Sequence, residues 1–97
     1  MKRGELRLAA LDKIRPVLIL STFTGLNDVH VIPATTRIRG LATEVVAGLL
    51  DGLNDECVFN AQQLRLISSA AVGYQIGTLS SDKLDEVCAA IDRVVGC

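Results

Sequence analysis

A small, mainly β fold closed by one C-terminal α-helix is the architecture this sequence predicts. Three observations carry it. Apolar and polar residues alternate in several short segments before residue 79, turn-forming residues punctuate those segments, and the last stretch switches to an apolar repeat of three and four. Many short strands followed by one helix argue for a small β-barrel with the helix packed against it.

The first strand runs from Glu5 to Leu11, where Leu6, Leu8 and Ala10 alternate with Glu5, Arg7 and Ala9. A very short connection through Asp12, Lys13 and Ile14 leads to Pro16–Thr22, an almost wholly apolar run that suits a strand covered on both faces. Gly25, Asn27 and Asp28 mark a turn, and Val29–Thr35 reads as the third strand. Pro33 cannot donate to a ladder, which predicts an edge position or a bulge there. Gly40 ends that unit, and Thr43–Val46 supplies a short fourth strand before the turn-rich Asp51–Asp55. Cys57–Ile67 reads as extended chain interrupted at Asn60–Gln63, and Val72, Tyr74 and Ile76 alternate in the last strand. Ser80 then caps a helix with Asp82 in its first turn, and Leu84, Val87, Cys88, Ile91, Val94 and Val95 form its apolar face before Gly96 closes it.

Ninety-seven residues amount to one domain, 1–97, with one modest core. Apolar residues are 49% of the chain and aromatics 3%, so that core is aliphatic, and the apolar surplus favours self-association as a homodimer. No apolar run approaches a membrane span, and Glu5, Arg7 and Asp12 interrupt any signal-like stretch after Lys2 and Arg3, which predicts a cytoplasmic protein without a membrane partner. Cys57, Cys88 and Cys97 have neither disulfide-framework nor zinc-site spacing and read as reduced thiols, so neither a metal nor any other cofactor is expected.

The net charge is −1, yet the halves differ: residues 1–39 carry +4 and residues 40–97 carry −5. The first half can meet a polyanion locally, although such asymmetry is also found on plain solvated surfaces. His30 is the single possible centre of a histidine-dependent triad, and equally an ordinary strand side chain with one satisfied nitrogen. There is no Gly-rich phosphate loop and no H-E-x-x-H. Arg15 precedes Pro16, which pushes it into extended geometry at the entrance of a strand and so to a barrel rim; a surface ion pair is its plainer role. Thr35, Thr36, Arg37 and Arg39 cluster at the exit of the Pro33 strand, where hydroxyls beside planar cationic forks suit a phosphate, or simply form a polar turn. Gln63 and Arg65 offer contacts to bases or phosphates, or a solvated strand face.

Several segments stand in an order that resembles the MazF/PemK family of toxin endoribonucleases. They are Met1–Glu5, Arg15-Pro16-Val17-Leu18, Thr35–Val45, the Gly52-Leu53 turn, Gln63-Leu64-Arg65 and Ile76–Ser80. The resemblance runs from end to end. It implies an SH3-like barrel with a C-terminal helix, a symmetric dimer, cleavage of single-stranded RNA, and neutralisation by a cognate antitoxin protein. The family's catalytic arginine falls on Arg15 and its catalytic threonine on Thr35, with RNA contacts at Thr36, Arg37, Arg39, Gln63 and Arg65. Family members usually carry a longer Gly-rich loop, often with an acid, where only Asp12, Lys13 and Ile14 stand here. The implied chemistry is attack of the RNA 2′-hydroxyl on the adjacent phosphorus without a metal, giving a 2′,3′-cyclic phosphate and a 5′-hydroxyl. Two other readings stand beside it. One is a CcdB-like gyrase poison, a class that relies on a Trp-Gly-Ile tail where this chain ends Val95-Gly96-Cys97; the other is a non-cutting barrel that only binds a protein partner.

Overall fold

The computed structural model describes residues 1–21 and 27–96. The expected turn at Gly25, the end of the second strand at Thr22, Phe23 and Cys97 lie outside the described residues. Among the described residues seven strands form: β1 (Glu5–Ala10), β2 (Ile14–Ile19), β3 (Asp28–Thr35), β4 (Glu44–Ala47), β5 (Cys57–Asn60), β6 (Arg65–Ser68) and β7 (Val72–Thr78). Short 3₁₀ turns occupy Leu49–Asp51, Ala61–Gln63 and Ser69–Ala71, and the helix α1 spans Ser81–Val95. The polar break expected at Asn60–Gln63 is thus a 3₁₀ turn, started by the Asn60 side chain, which accepts from the Gln62 N–H.

All pairings are antiparallel, in the order β4-β5-β3-β2-β1-β7, with β6 joining β3. β3 is the shared strand: Asp28–Val31 pair with β6 and Ala34–Thr35 pair with β5. Pro33 is therefore not on an edge strand, contrary to the sequence expectation. The His30 N–H and C=O face β2, so backbone alternation turns the Pro33 nitrogen to the opposite side, into the gap where the partner changes from β6 to β5. The missing donor falls where no ladder bond is due.

Both faces of the central strands are buried, as the unbroken apolar run of β2 required. Leu18, Ile32 and Ala34 enter one core with Leu6, Phe59 and the helix residues Val87 and Ala90, while Val17, Ile19, Val29 and Val31 enter a second with Ala9. Each fully buried Val, Leu or Ile contributes about 1.5–3 kcal/mol against an exposed one. The helix begins as read, with the Ser80 hydroxyl accepting from the Lys83 N–H, and ends at Gly96 in a left-handed conformation with φ +64°. Leu84, Val87 and Ile91 pack inward, whereas Val94 and Val95 stay exposed in the last turn.

The two ends of the strand order meet. Gly52 sits at φ +102°, and a Cβ there would overlap the Ile76 carbonyl oxygen, as one at Gly77 would overlap the Asp51 carbonyl oxygen. Backbone contact at this glycine pair sets the β4–β5 connection against β7 and holds the curled sheet as a half-barrel. Beside it, Lys83 of α1 donates to Asp51 at 2.7 Å, and the same carboxylate accepts from the Gly48 N–H at 2.9 Å.

Candidate active site

Arg15 is the second residue of β2, and the register Val17↔Pro33 and Leu18↔Ile32, continued two residues, sets it opposite Thr35 at the end of β3. The two therefore share a face of the sheet. Both line two adjoining clefts, and Ala34 between them is common to both. The sequence-based pairing of a rim arginine with a strand-end threonine is thus a spatial pairing.

The second of these clefts, about 270 Å³, gathers Arg37, Arg39, Gln63 and Arg65 around Arg15 and Thr35. Four arginines reach it from four places: β2, the chain after β3, the arm leading to β4, and the start of β6. The first cleft, about 560 Å³, has a different character. Thr36 faces this one instead, with Lys13, Leu8, Pro16 and Ile76, and the turn residues Asn54 and Asp55 and the aromatic Tyr74 form its far wall. Among the RNA-contact candidates Thr36 alone is thereby separated from the arginine cluster.

Local bonding defines what these groups can do. Arg15 donates through Nη2 to Asp12 at 3.1 Å, but its Nε is buried and has no hydrogen-bond partner among the described residues. Such an orphan N–H is costly to leave unmade, and an acceptor oxygen bound in the cleft would satisfy it. Burial works to raise the Asp12 carboxyl, and the Lys13 N–H together with the Arg15 charge outweighs it, holding Asp12 below its ordinary value. Asp12 is consequently ionised at neutral pH. The Thr35 hydroxyl accepts from the Arg37 N–H at 3.2 Å, which leaves its own proton for donation to a further acceptor.

Several contributors were not singled out from the sequence. Glu44 lines the cationic cleft and accepts from the backbone N–H groups of Arg39, at 3.1 and 3.3 Å, and Leu41, at 3.2 Å. It braces the arm that carries Arg37 and Arg39. From the other side Arg93 of α1 holds the same arm through the Ala42 carbonyl at 3.1 Å. Asn60 accepts from Thr43 at 2.8 Å and from the Gln62 N–H at 3.0 Å, fixing the turn that presents Gln63. The signal for Glu44 was its place three to five residues after the donors it binds; Asn54 and Asp55 gave no signal beyond turn propensity. Among the aromatics, Phe59 is locked in the core, whereas Tyr74 is 70% exposed.

His30 lies away from both clefts, its Nδ1 2.8 Å from the Ser21 hydroxyl. Among the described residues no three His, Cys, Asp or Glu side chains come together as a metal-binding group, and no helix is long and apolar enough to cross a membrane.

Comparison with known proteins identifies the lineage. Residues 2–95 match the family model described as PemK-like, MazF-like toxin of type II toxin–antitoxin system. Endoribonuclease MazF3 of Mycobacterium tuberculosis is 39% identical over 89 residues, spanning 89% of this chain and 86% of that protein. The solved Mycobacterium tuberculosis toxin MazF-mt6 superposes with a TM-score of 0.88 at 37% identity, covering 95% of this chain and 96% of its own. A mycobacterial endoribonuclease solved in complex with its cognate antitoxin shares the fold, with a TM-score of 0.85 at 23% identity over 99% of this chain and 95% of that one. With the ordered motifs, the barrel and these matches in agreement, the chain belongs to the PemK-like, MazF-like toxin family of type II toxin–antitoxin systems.

Proposed function

We propose that this chain is a toxin endoribonuclease that cleaves single-stranded RNA through the 2′-hydroxyl, without a metal, and is neutralised by a cognate antitoxin. The observation that carries this reading is the buried, unpartnered Nε of Arg15 in a cleft shared with the free hydroxyl proton of Thr35. The relatives' name as endoribonucleases and the family's description as toxins of toxin–antitoxin systems support it.

In the reaction the 2′-oxygen bonds to phosphorus as its proton departs, and the bond from phosphorus to O5′ breaks as O5′ gains a proton. The products are a 2′,3′-cyclic phosphate and a 5′-hydroxyl. Negative charge grows on the non-bridging oxygens, and preorganised donors aimed at them lower the barrier. Arg15 supplies two such donors in a fixed plane, and with a pKa of about 12.5 or above it is no base at neutral pH. Thr35 donates to the same phosphoryl group. Arg37, Arg39 and Arg65 hold the flanking backbone by charge, with Gln63 beside them, and Thr36 meets the chain where it leaves the phosphate. The surface left apolar at Ile14, Leu49 and Leu50 suits a homodimer.

The test is incubation of the purified protein with a long, weakly structured RNA in excess chelator, followed by mapping of the ends. Cuts bearing cyclic phosphate and 5′-hydroxyl termini are expected. Arg15→Ala should lower the rate by at least ~10²- to 10³-fold while the protein stays folded. Equal cleavage by parent and variant, or loss of all activity in the chelator, overturns the reading.

A further inference from the structure

We propose that the cleft between the 52–55 turn and Tyr74 is a nucleobase pocket. It takes an amino-bearing base next to the scissile phosphate, with Asn54 and Asp55 reading the base's edge and Tyr74 its face. This inference rests on the endoribonuclease reading above and deepens it.

The two clefts meet at Arg15 and Thr35, so a nucleotide whose phosphate sits on those residues must place a neighbouring sugar and base in one of them. Their chemistry decides which moiety goes where. The arginine-rich cleft is suited to phosphates. The other is lined by the apolar Leu8, Pro16 and Ile76 and by one further cation, Lys13, besides the shared Arg15, with a volume of about 560 Å³ that lies in the range of small-molecule sites. A second phosphate there would meet Lys13 set against the Asp55 carboxylate, whereas the other cleft offers Arg37, Arg39 and Arg65 against Glu44 alone. The Asp55 carboxylate makes no hydrogen bond or ion pair among the described residues, in contrast to Asp51, which is held by Lys83. Its field reaches the cleft floor: burial pushes the Cys57 thiol up, and the charges of Asp51, Asp55 and Glu56 push it further.

A flat, neutral group with hydrogen-bond donors on its rim fits such a cleft. Tyr74 provides an exposed ring for stacking. The Asn54 amide is likewise unpartnered among the described residues, so acceptor groups of Asn54 and Asp55 are both available at the wall. Cytosine, adenine and guanine each carry an exocyclic amino donor that can meet them. Uracil has no amino group and sets its one N3–H between two carbonyl oxygens, which a carboxylate repels. The Gly52–Gly77 backbone contact holds the turn against β7, so the reading groups stand on a fixed support.

The experiment maps cleavage of a single-stranded RNA library with randomised positions on both sides of the cut. The parent protein should favour amino-bearing bases over uracil by roughly tenfold or more at one position adjoining the cut. Asp55→Asn and Asn54→Ala should flatten that one position while the other positions keep their profile. Tyr74→Ala should lower kcat/KM about tenfold for every base there, and Tyr74→Phe should restore it. All three residues are exposed, so the variants fold. Cleavage with an unchanged base profile in Asp55→Asn and Asn54→Ala overturns the pocket and leaves the endoribonuclease reading standing. Absence of any cut by the parent protein overturns both.

Discussion

Replacing Arg15 by lysine keeps the charge and removes the planar fork, so it separates the two contributions at this residue. A point charge cannot satisfy the geometry now met by Nη2 and offered by the buried Nε, and Arg15→Lys should recover little of the activity lost in Arg15→Ala. Single-turnover rates of the two variants on one RNA check this. In the proposed reaction Asp12, which accepts from Arg15 Nη2, is a competitor of the scissile phosphate for that guanidinium. Exposed ion pairs are worth little, so Asp12→Asn should tighten binding of a 2′-deoxy-substituted, uncleavable oligonucleotide by no more than about fivefold. Arg15 and Thr35 were each marked by a local signature, the Arg-Pro step and the hydroxyls at a strand exit, while their pairing came from the resemblance to the MazF/PemK family. Asn54 and Asp55 were not marked, because the cleft they line is assembled from segments far apart in the chain, and Glu44 was passed over although the backbone donors it binds lie three and five residues before it.

At the scale of elements, the helix is tied to the β4–β5 connection by Lys83 and Asp51. Burial acts to raise the Asp51 carboxyl; the Lys83 hydrogen bond, the Gly48 N–H and the Lys83 charge together outweigh it, and the group lies below its ordinary value. A depressed folded pKa means stabilisation that is complete above the unfolded pKa of about 3.9 and is lost as pH falls through the lower folded value. Asp51→Asn should therefore cost about 1–3 kcal/mol near neutrality, and the gap between variant and parent should shrink below about pH 4. Denaturant unfolding at pH 7 and at pH 3 measures both limbs. The strand sequence and the helix caps were readable from period and end signals, and the β2 run announced burial on both faces. Pro33 misled because its rule concerns a donor due to a partner. A strand that changes partners beside the proline has an interior position where no donor is due.

For the whole molecule, the +4 half and the −5 half are folded so that arginines from both meet in one groove: Arg15, Arg37 and Arg39 come from the first and Arg65 from the second. Binding of single-stranded RNA should weaken with salt by about 0.7 log units per phosphate held for each tenfold rise in salt, and Arg65→Gln should reduce that slope by about one such step. Titrations of the uncleavable oligonucleotide across salt concentrations read the slope directly. Light scattering should give the mass of two chains, and a mass of one removes the dimer. The contact between Gly52 and Gly77 has a use outside the native reaction. Since neither position can accept a side chain without pushing the barrel wall outward, the pair acts as a seam against which a graft can be sewn. Libraries that hold both glycines and vary only residues 54 and 55 should yield folded enzymes with redirected cutting, which makes this turn the place to begin retargeting the scaffold.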